Sequence, residues 1–197
     1  MAGMKLVILD RDGVLNAASD DFITVAEAWV PLPGALEAVA RINQAGYHVV
    51  IASDQSGLGR GLFDVGALNA IHARLHKMLA AAGGRLDAVF YCPHGPDEPC
   101  ACRKPLPGLF EQISERFGVN LSEVPTVGAN IHHLVAGVAA GCEPHLLHAA
   151  PDGGPWLADL PAGTQVHADL AAFAEMLLAR PSGPSVVSQT FPLPLAR

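Results

Sequence analysis

Charge, cysteine and long apolar runs are all in short supply in this chain. Half of its 197 residues are hydrophobic and only 16% are charged. Yet no apolar run approaches the roughly 20 residues that a membrane span requires, so a soluble globular protein with no membrane partner is expected. A chain of this length suits one domain that buries about 70% of its unfolded surface, and no disulfide scaffold is needed. Basic residues are outnumbered, and the formal charge is −7. Nucleic acid is therefore excluded as the main partner, because binding it takes a basic surface that displaces counterions. Small anionic substrates stay open through local positive groups. The opening Met-Ala-Gly-Met-Lys shows neither a separate apolar signal region nor a cleavage site, which predicts a cytoplasmic location. No internal repeat is visible.

Short β-branched or apolar runs alternate with helix-like stretches. Strands are predicted over Lys5–Leu9, His48–Ala52, Ala88–Tyr91, Pro125–Val127 and Pro144–Leu147, and helices over Gly34–Ala45, Gly66–Ala82, Pro107–Phe117, Ile131–Ala140 and Ala168–Ala179. This alternation predicts an α/β fold: a doubly wound, Rossmann-like parallel sheet with helices on both faces. Near-continuous apolar strands suit a sheet buried on both sides. Gly46, Gly83-Gly84, Gly118 and Gly141 mark helix ends. The domain is expected over 1–180, with a proline-rich tail over 181–197 that could still lay Phe191 and Leu193 in a groove.

Polar clusters follow the first three strands. Asp10-Arg11-Asp12-Gly13-Val14-Leu15-Asn16 delivers two carboxylates to a strand end, where α/β enzymes do their chemistry. Asp10 suits attack on phosphorus, and Asp12 suits proton delivery to the leaving oxygen. Behind strand two, Ser53-Asp54-Gln55-Ser56-Gly57-Leu58-Gly59-Arg60-Gly61 offers hydroxyls, backbone N–H groups and an arginine to phosphate oxygens, although a plain surface loop has the same composition. Behind strand three, Cys92-x-His94 and Cys100-x-Cys102 supply three thiolates and an imidazole, the donor set of a closed, structural Zn²⁺ site. Such a metal would tie down a loop over 92–102 that has too little apolar content to fold alone. Arg103-Lys104-Pro105 follows at once. Lys104 suits a fixed positive charge for a phosphoryl group and Asp10, and Arg103 a grip on a second oxyanion, against the plainer reading of a solvated basic pair. Cys142 reads as a small buried residue, His72 and His76 as surface or packing residues, and His132 and His133 as polar residues at a helix start.

Asp10-x-Asp12-Gly13, Ser53, Lys104 and Val127-Gly128 together resemble the four-motif pattern of haloacid-dehalogenase-type phosphatases. DRDGVLN, DQSGLGRG and CPHGPDEPCACRKP resemble more narrowly the zinc-loop branch of that family, whose members act on heptose bisphosphate or histidinol phosphate. The similarity spans Lys5 to Leu147, and the short stretch between Asp10 and Ser53 leaves no room for a large cap domain. The resemblance implies a phosphomonoesterase working through an aspartyl-phosphate, with Asp10 as nucleophile and Asp12 as general acid and base. It also implies Mg²⁺ held by Asp10 and the backbone carbonyl of Asp12, with Ser53 and Lys104 on the remaining phosphate oxygens. Apart from the resemblance, Asn130 offers that ion a further, neutral oxygen ligand. Heptose 1,7-bisphosphate is the preferred substrate, with its 7-phosphate removed. Asn16, Asp54, Gln55, Ser56, Arg60 and Arg103 are then the substrate-binding candidates. Histidinol phosphate is the runner-up, and a monomer or weak oligomer is expected.

Two departures from the family pattern stand out. The fourth motif reads Val127-Gly128-Ala129-Asn130-Ile131-His132-His133, so Ala129 and His133 occupy the places of two expected acids, the first of them a Mg²⁺ ligand. Asp54 stands where the heptose branch has asparagine. An enzyme with weakened Mg²⁺ binding and a phosphosugar-binding pseudo-phosphatase both follow from this pattern.

Overall fold

The computed structural model describes residues 4–18, 22–148 and 158–180. The tail over 181–197, with Phe191 and Leu193, lies outside them. Six strands form one parallel sheet: β1 (Leu6–Leu9), β2 (His48–Asp54), β3 (Ala88–Cys92), β4 (Pro125–Gly128), β5 (Glu143–Leu147) and β6 (Gln165–His167), in the order β3-β2-β1-β4-β5-β6. The expected doubly wound sheet is what the chain forms, and no cap domain is present among the described residues.

The strand residues explain why both faces are covered. β1 is buried at all four positions. Successive side chains of a strand point to opposite faces, so its two alternating pairs seed two cores. Val7 and Leu9 join Val49 and Ile51 of β2 against Ile42, Ile71, Leu75, Phe173 and Leu177. These belong to α1 (Ala35–Gln44), α3 (Val65–Ala81) and α6 (Leu170–Ala179). Leu6 and Ile8 join Val50 and Ala52 against Leu109, Phe110, Ile113 and Ala136, which come from α4 (Gly108–Phe117) and α5 (Ile131–Ala139). No described helix is long and apolar enough to cross a membrane.

Helix starts follow the side chains available. Asp64 caps α3 by accepting from the Ala67 N–H at 2.7 Å, Asn130 caps α5 through the His133 N–H at 3.0 Å, and Asp169 caps α6 through the Ala172 N–H at 2.8 Å. Each satisfies a backbone donor that has no partner inside its helix. Besides two 3-10 turns, Ala26–Ala28 and Leu121–Glu123, two elements have no counterpart in the expected pattern. β6 is a three-residue edge strand with two exposed positions and so carries no apolar run. The short helix α2 (Ser56–Gly59) sits inside the glycine-rich segment.

The order of strands places the chemistry. Chain connections run outward from β1 to β2 and β3 on one side and from β4 to β5 and β6 on the other, so the direction of winding reverses between β1 and β4. In such sheets the carboxyl ends of the two strands at the reversal open into the binding crevice. Asp10 ends β1 and donates its N–H to the Val127 carbonyl of β4 at 2.9 Å, which fixes it at that point.

Candidate active site

Asp10 is 3% exposed. Its Oδ1 accepts from the Arg11 N–H at 2.9 Å, and its Oδ2 accepts from the Lys104 ammonium at 2.7 Å. Lys104 arrives from the loop after β3 and is itself buried. Its Nζ also meets the Ala52 carbonyl at 3.3 Å and His133 Nδ1 at 3.2 Å. All three ammonium protons thus have acceptors, and a charge that would be costly alone in this setting is paired and hydrogen-bonded.

Asp12 is the more accessible carboxylate, with a third of its side chain exposed. Arg11 folds back on it, with Nη2 3.0 Å from Oδ2 and 3.1 Å from Oδ1 and Nε 3.3 Å from Oδ1. Asn16 Nδ2 donates to Oδ1 at 2.8 Å and Gln55 Nε2 to Oδ2 at 3.3 Å. Asn16 is in turn held by Trp29, whose Nε1 donates to its Oδ1 at 3.0 Å. A fully buried tryptophan therefore steers an active-site carboxylate through one amide. Arg11 Nη1 also lies 3.5 Å from His72 Nε2. Burial and the Arg11 charge hold His72 down at about 4. It is neutral at physiological pH and able to accept from the guanidinium.

Several expected substrate contacts are engaged within the protein. Asn16 and Gln55 are both buried, and their amides bind Asp12 rather than facing a ligand. Gln55 also donates to Ser53 Oγ at 2.8 Å and accepts from Arg11 at 3.2 Å. Arg103 turns onto the carbonyls of Gly95, Pro96 and Glu98, so it braces the 92–102 loop and does not reach into the crevice. Irregular loops leave carbonyls that need donors, and a guanidinium supplies several in one plane. Arg60 remains exposed on the rim, its guanidinium 5.4 Å from the Phe22 ring centre. Ser56 is half-buried in the first turn of α2. Asp54 points to the Lys104 backbone, accepting its N–H at 3.4 Å. Burial raises the Asp54 carboxyl above its ordinary range, Lys104 opposes this, and Asp10 adds to it.

The glycine-rich segment is built for packing. A Cβ at Gly59 would lie 2.1 Å from the Gly95 backbone nitrogen, so only glycine lets α2 dock on the 92–102 loop. Ser53, 1% exposed, carries its hydroxyl near the carboxyl end of β2.

The predicted zinc ligands converge. Cys92, His94, Cys100 and Cys102 place their ligand atoms within 4.8 Å of one another. Cys92 Sγ is 3.8 Å from Cys100 Sγ and 3.4 Å from His94 Nδ1, and Cys102 Sγ is 3.3 Å from that nitrogen. A tetrahedral ion with metal–sulfur bonds of about 2.3 Å separates two sulfurs by about 3.8 Å, so the residues fit Zn²⁺.

The fourth-motif residues are placed differently from expectation. His133 stands in the first turn of α5, as expected, but faces inward. It is fully buried, with Nδ1 3.2 Å from Lys104 and 3.5 Å from Asp10 Oδ2, Nε2 2.8 Å from Thr126 Oγ1, and its ring edge-on to Phe110. Burial and the Lys104 charge push its pKa well below the usual histidine range. Asn130 is not placed as a metal ligand. Its Oδ1 caps α5, and its Nδ2 faces Asp10 Oδ2 at 3.3 Å as a donor. Ala129 presents a methyl group to the Asp10–Gly13 turn, since a Cβ at Gly13 would lie 2.6 Å from its own. This side of the crevice does not fit Mg²⁺, which takes oxygen ligands. Beside it opens a cavity of about 240 Å³ lined by Ala129, Asn130, Ile131, Leu146, His148 and Asp159. No motif announced that cavity, because its polar lining, Asn130, His148 and Asp159, comes from three separate places in the chain.

A parallel α/β sheet that sets two aspartates and a buried lysine at the winding reversal has the layout of an enzyme crevice, where a carboxylate can act as a nucleophile. The chain belongs to the haloacid dehalogenase-like hydrolases, whose family pattern matches residues 10–141. It is 54% identical over 177 residues to D-glycero-beta-D-manno-heptose-1,7-bisphosphate 7-phosphatase of Bordetella bronchiseptica, covering 89% of this chain and 98% of that protein. To the protein of the same name in Pseudomonas aeruginosa it is 47% identical over 174 residues, covering 88% of this chain and 98% of that one. The crystal structure of D,D-heptose 1.7-bisphosphate phosphatase from B. bronchiseptica complexed with magnesium and phosphate superimposes with a TM-score of 0.84 at 54% identity, over 89% of this chain and 98% of that one.

Proposed function

We propose that this chain is a phosphomonoesterase that removes the 7-phosphate of D-glycero-β-D-manno-heptose 1,7-bisphosphate through an aspartyl-phosphate on Asp10. The observation that carries the reading is Asp10 itself, buried at the end of β1 with Lys104 2.7 Å from one oxygen and the Arg11 N–H 2.9 Å from the other. A carboxylate held at both oxygens is oriented before substrate arrives, and this lowers the cost of reaching an in-line geometry. An Asp10 oxygen attacks phosphorus as the bond to the sugar oxygen breaks. Asp12 gives a proton to that oxygen, then takes one from the water that attacks the phosphoryl-enzyme, returning Asp10 and inorganic phosphate. The Lys104 charge offsets that of the transferring phosphoryl group. Ser53 accepts from Gln55, so its own proton is left for a phosphate oxygen.

Zn²⁺ bound by Cys92, His94, Cys100 and Cys102 would be structural, since four protein ligands leave no open position. Its service to the reaction is to hold the loop from which Lys104 enters. Arg60 on the rim and the cavity beside Ala129 are the parts of the crevice open to the rest of the sugar. The relatives that match most of this chain carry the heptose bisphosphate name, which favours that substrate over histidinol phosphate. Purified protein given each compound separately tests the reading. Release of phosphate from the heptose bisphosphate, with the 1-phosphate retained, is expected. Faster release from histidinol phosphate, or none from either, contradicts it.

A further inference from the structure

The two carboxylates of the crevice each have a cationic partner from this chain. Asp10 pairs with Lys104 at 2.7 Å and Asp12 with Arg11 at 3.0 Å. The floor of the site is therefore close to neutral from protein groups alone. On the α5 side, where the family pattern implies two acids, Ala129 offers a methyl group and His133 an uncharged ring. The tautomer of His133 follows from its partners. The Lys104 ammonium has only protons to offer, so Nδ1 accepts, and the ring proton on Nε2 is donated to Thr126 Oγ1 at 2.8 Å. Asn130 completes this side with an N–H group aimed at Asp10 Oδ2 and its oxygen engaged by the helix start. One donor, the Asn130 amide, faces Asp10 from this side, and the His133 ring acceptor is taken by Lys104, where a cation would need oxygen ligands.

A second observation agrees. Among the described residues, the cysteine–histidine cluster of the zinc loop is the one group of three or more His, Cys, Asp and Glu side chains whose ligand atoms lie close enough to share an ion. Asp10, Asp12 and Asp54 do not form such a group, and Asp54 faces the Lys104 backbone. Losing two acids together removes about as much negative charge as a divalent cation would have offset. An incoming phosphate dianion thus meets a similar net charge with neither the acids nor the ion present.

We propose that this chain holds a phosphoryl group without a divalent cation, with Lys104, Asn130 and His133 fixing Asp10 in place of metal-bound acids. The proposal rests on the crevice being the phosphate site. It makes Lys104 the fixed cation of the site, Asn130 the donor that steadies the second oxygen of Asp10, and His133 a positioning residue that acts through Lys104.

Calorimetric titration of the full chain with inorganic phosphate, once in excess EDTA and once in millimolar Mg²⁺, tests this. An ion that takes part in phosphate binding must shift phosphate affinity by the same factor by which phosphate shifts its own. The expected result is that the two phosphate affinities agree within about threefold, below the roughly 5–150-fold of ordinary coupling between ligands. A Mg²⁺-dependent gain of about tenfold or more, or no phosphate binding in either buffer, overturns the proposal. The Ala129→Asp variant supplies the converse: restoring a carboxylate toward the Asp10–Gly13 turn is expected to make phosphate affinity rise with Mg²⁺, and no such rise counts against the placement of residue 129. Heptose bisphosphate turnover in the same two buffers separates this proposal from the phosphatase reading. Turnover that requires Mg²⁺ overturns the metal-free proposal and leaves the activity standing. Phosphate binding in EDTA with no turnover in either buffer supports the metal-free proposal and overturns the activity.

Discussion

The carboxyl ends of β1 and β4 lie side by side and face one crevice, yet they are furnished in opposite ways. At β1 two aspartates are gripped by charged or amide partners, and the grip extends through Asn16 to the buried Trp29. At β4 the crevice meets a methyl group, an amide that caps a helix and a histidine held at both ring nitrogens. On the proposed reading, the contrast teaches that a phosphoryl site has separable parts. One places the nucleophile and the acid; the other sets the charge in which they work. The first is charged and paired here, and the second is lined by neutral groups.

The largest effect expected is at the β1 end. Asp10→Asn should lower phosphate release by at least about 10³-fold, since the covalent route is lost. Asp12→Asn should cost roughly 10²–10⁴-fold, as general acid help disappears, with phosphate binding largely kept. Lys104→Met joins the two ends of the comparison, because it strips Asp10 and His133 of the same partner. A fall of about 10²–10³-fold in rate is expected. Thermal stability should also drop, because Asp10 would be left buried and unpaired, an arrangement that costs about 3–5 kcal/mol. Elemental analysis should find about one zinc per chain, and Cys100→Ser should lower both zinc content and Tm.

Asp54→Asn gives the smallest effect and has a definite pH signature. Burial raises the Asp54 carboxyl, so the folded state binds a proton more readily than the unfolded state, and the ionised form costs stability. That cost is absent below the ordinary carboxylate value of 3.8, where both states are protonated, and it sets in as pH rises through the raised value. The asparagine variant should therefore gain about 1–3 °C in Tm at neutral pH. The gain should vanish in acid, and melting curves across pH check this.

How much of this was legible in the sequence depended on how local the signal was. The five strands with apolar runs and the five longer helices could be read from periodicity, because packing on both faces of a parallel sheet leaves an uninterrupted mark. β6 could not, since a short exposed edge strand carries no such run. Asp10, Asp12, Lys104 and the cysteine–histidine cluster stood out as chemistry placed at strand ends. The partners that hold them did not. Arg11 lies between two expected catalytic residues and looks like a spacer until its side chain folds back. His72 is one histidine on a helix, and His133 is the helix-start residue it looks like, with nothing local to show that it meets Lys104. Asn16, Gln55 and Arg103 were read as substrate contacts because a polar residue near a site has the same appearance whether it faces a ligand or a neighbouring side chain. The glycines over 57–61 suggested a phosphate cradle, but the close approach of Gly59 to Gly95 explains one of them by packing. In each case the missing information was a contact across the fold.

The most direct test of the contrast between the two ends is phosphate release from D-glycero-β-D-manno-heptose 1,7-bisphosphate in excess EDTA, measured for the unaltered chain and for Asp10→Asn. The account predicts release by the unaltered chain and its loss in the variant. Equal release by both, or release from the unaltered chain only after Mg²⁺ is added, would contradict it.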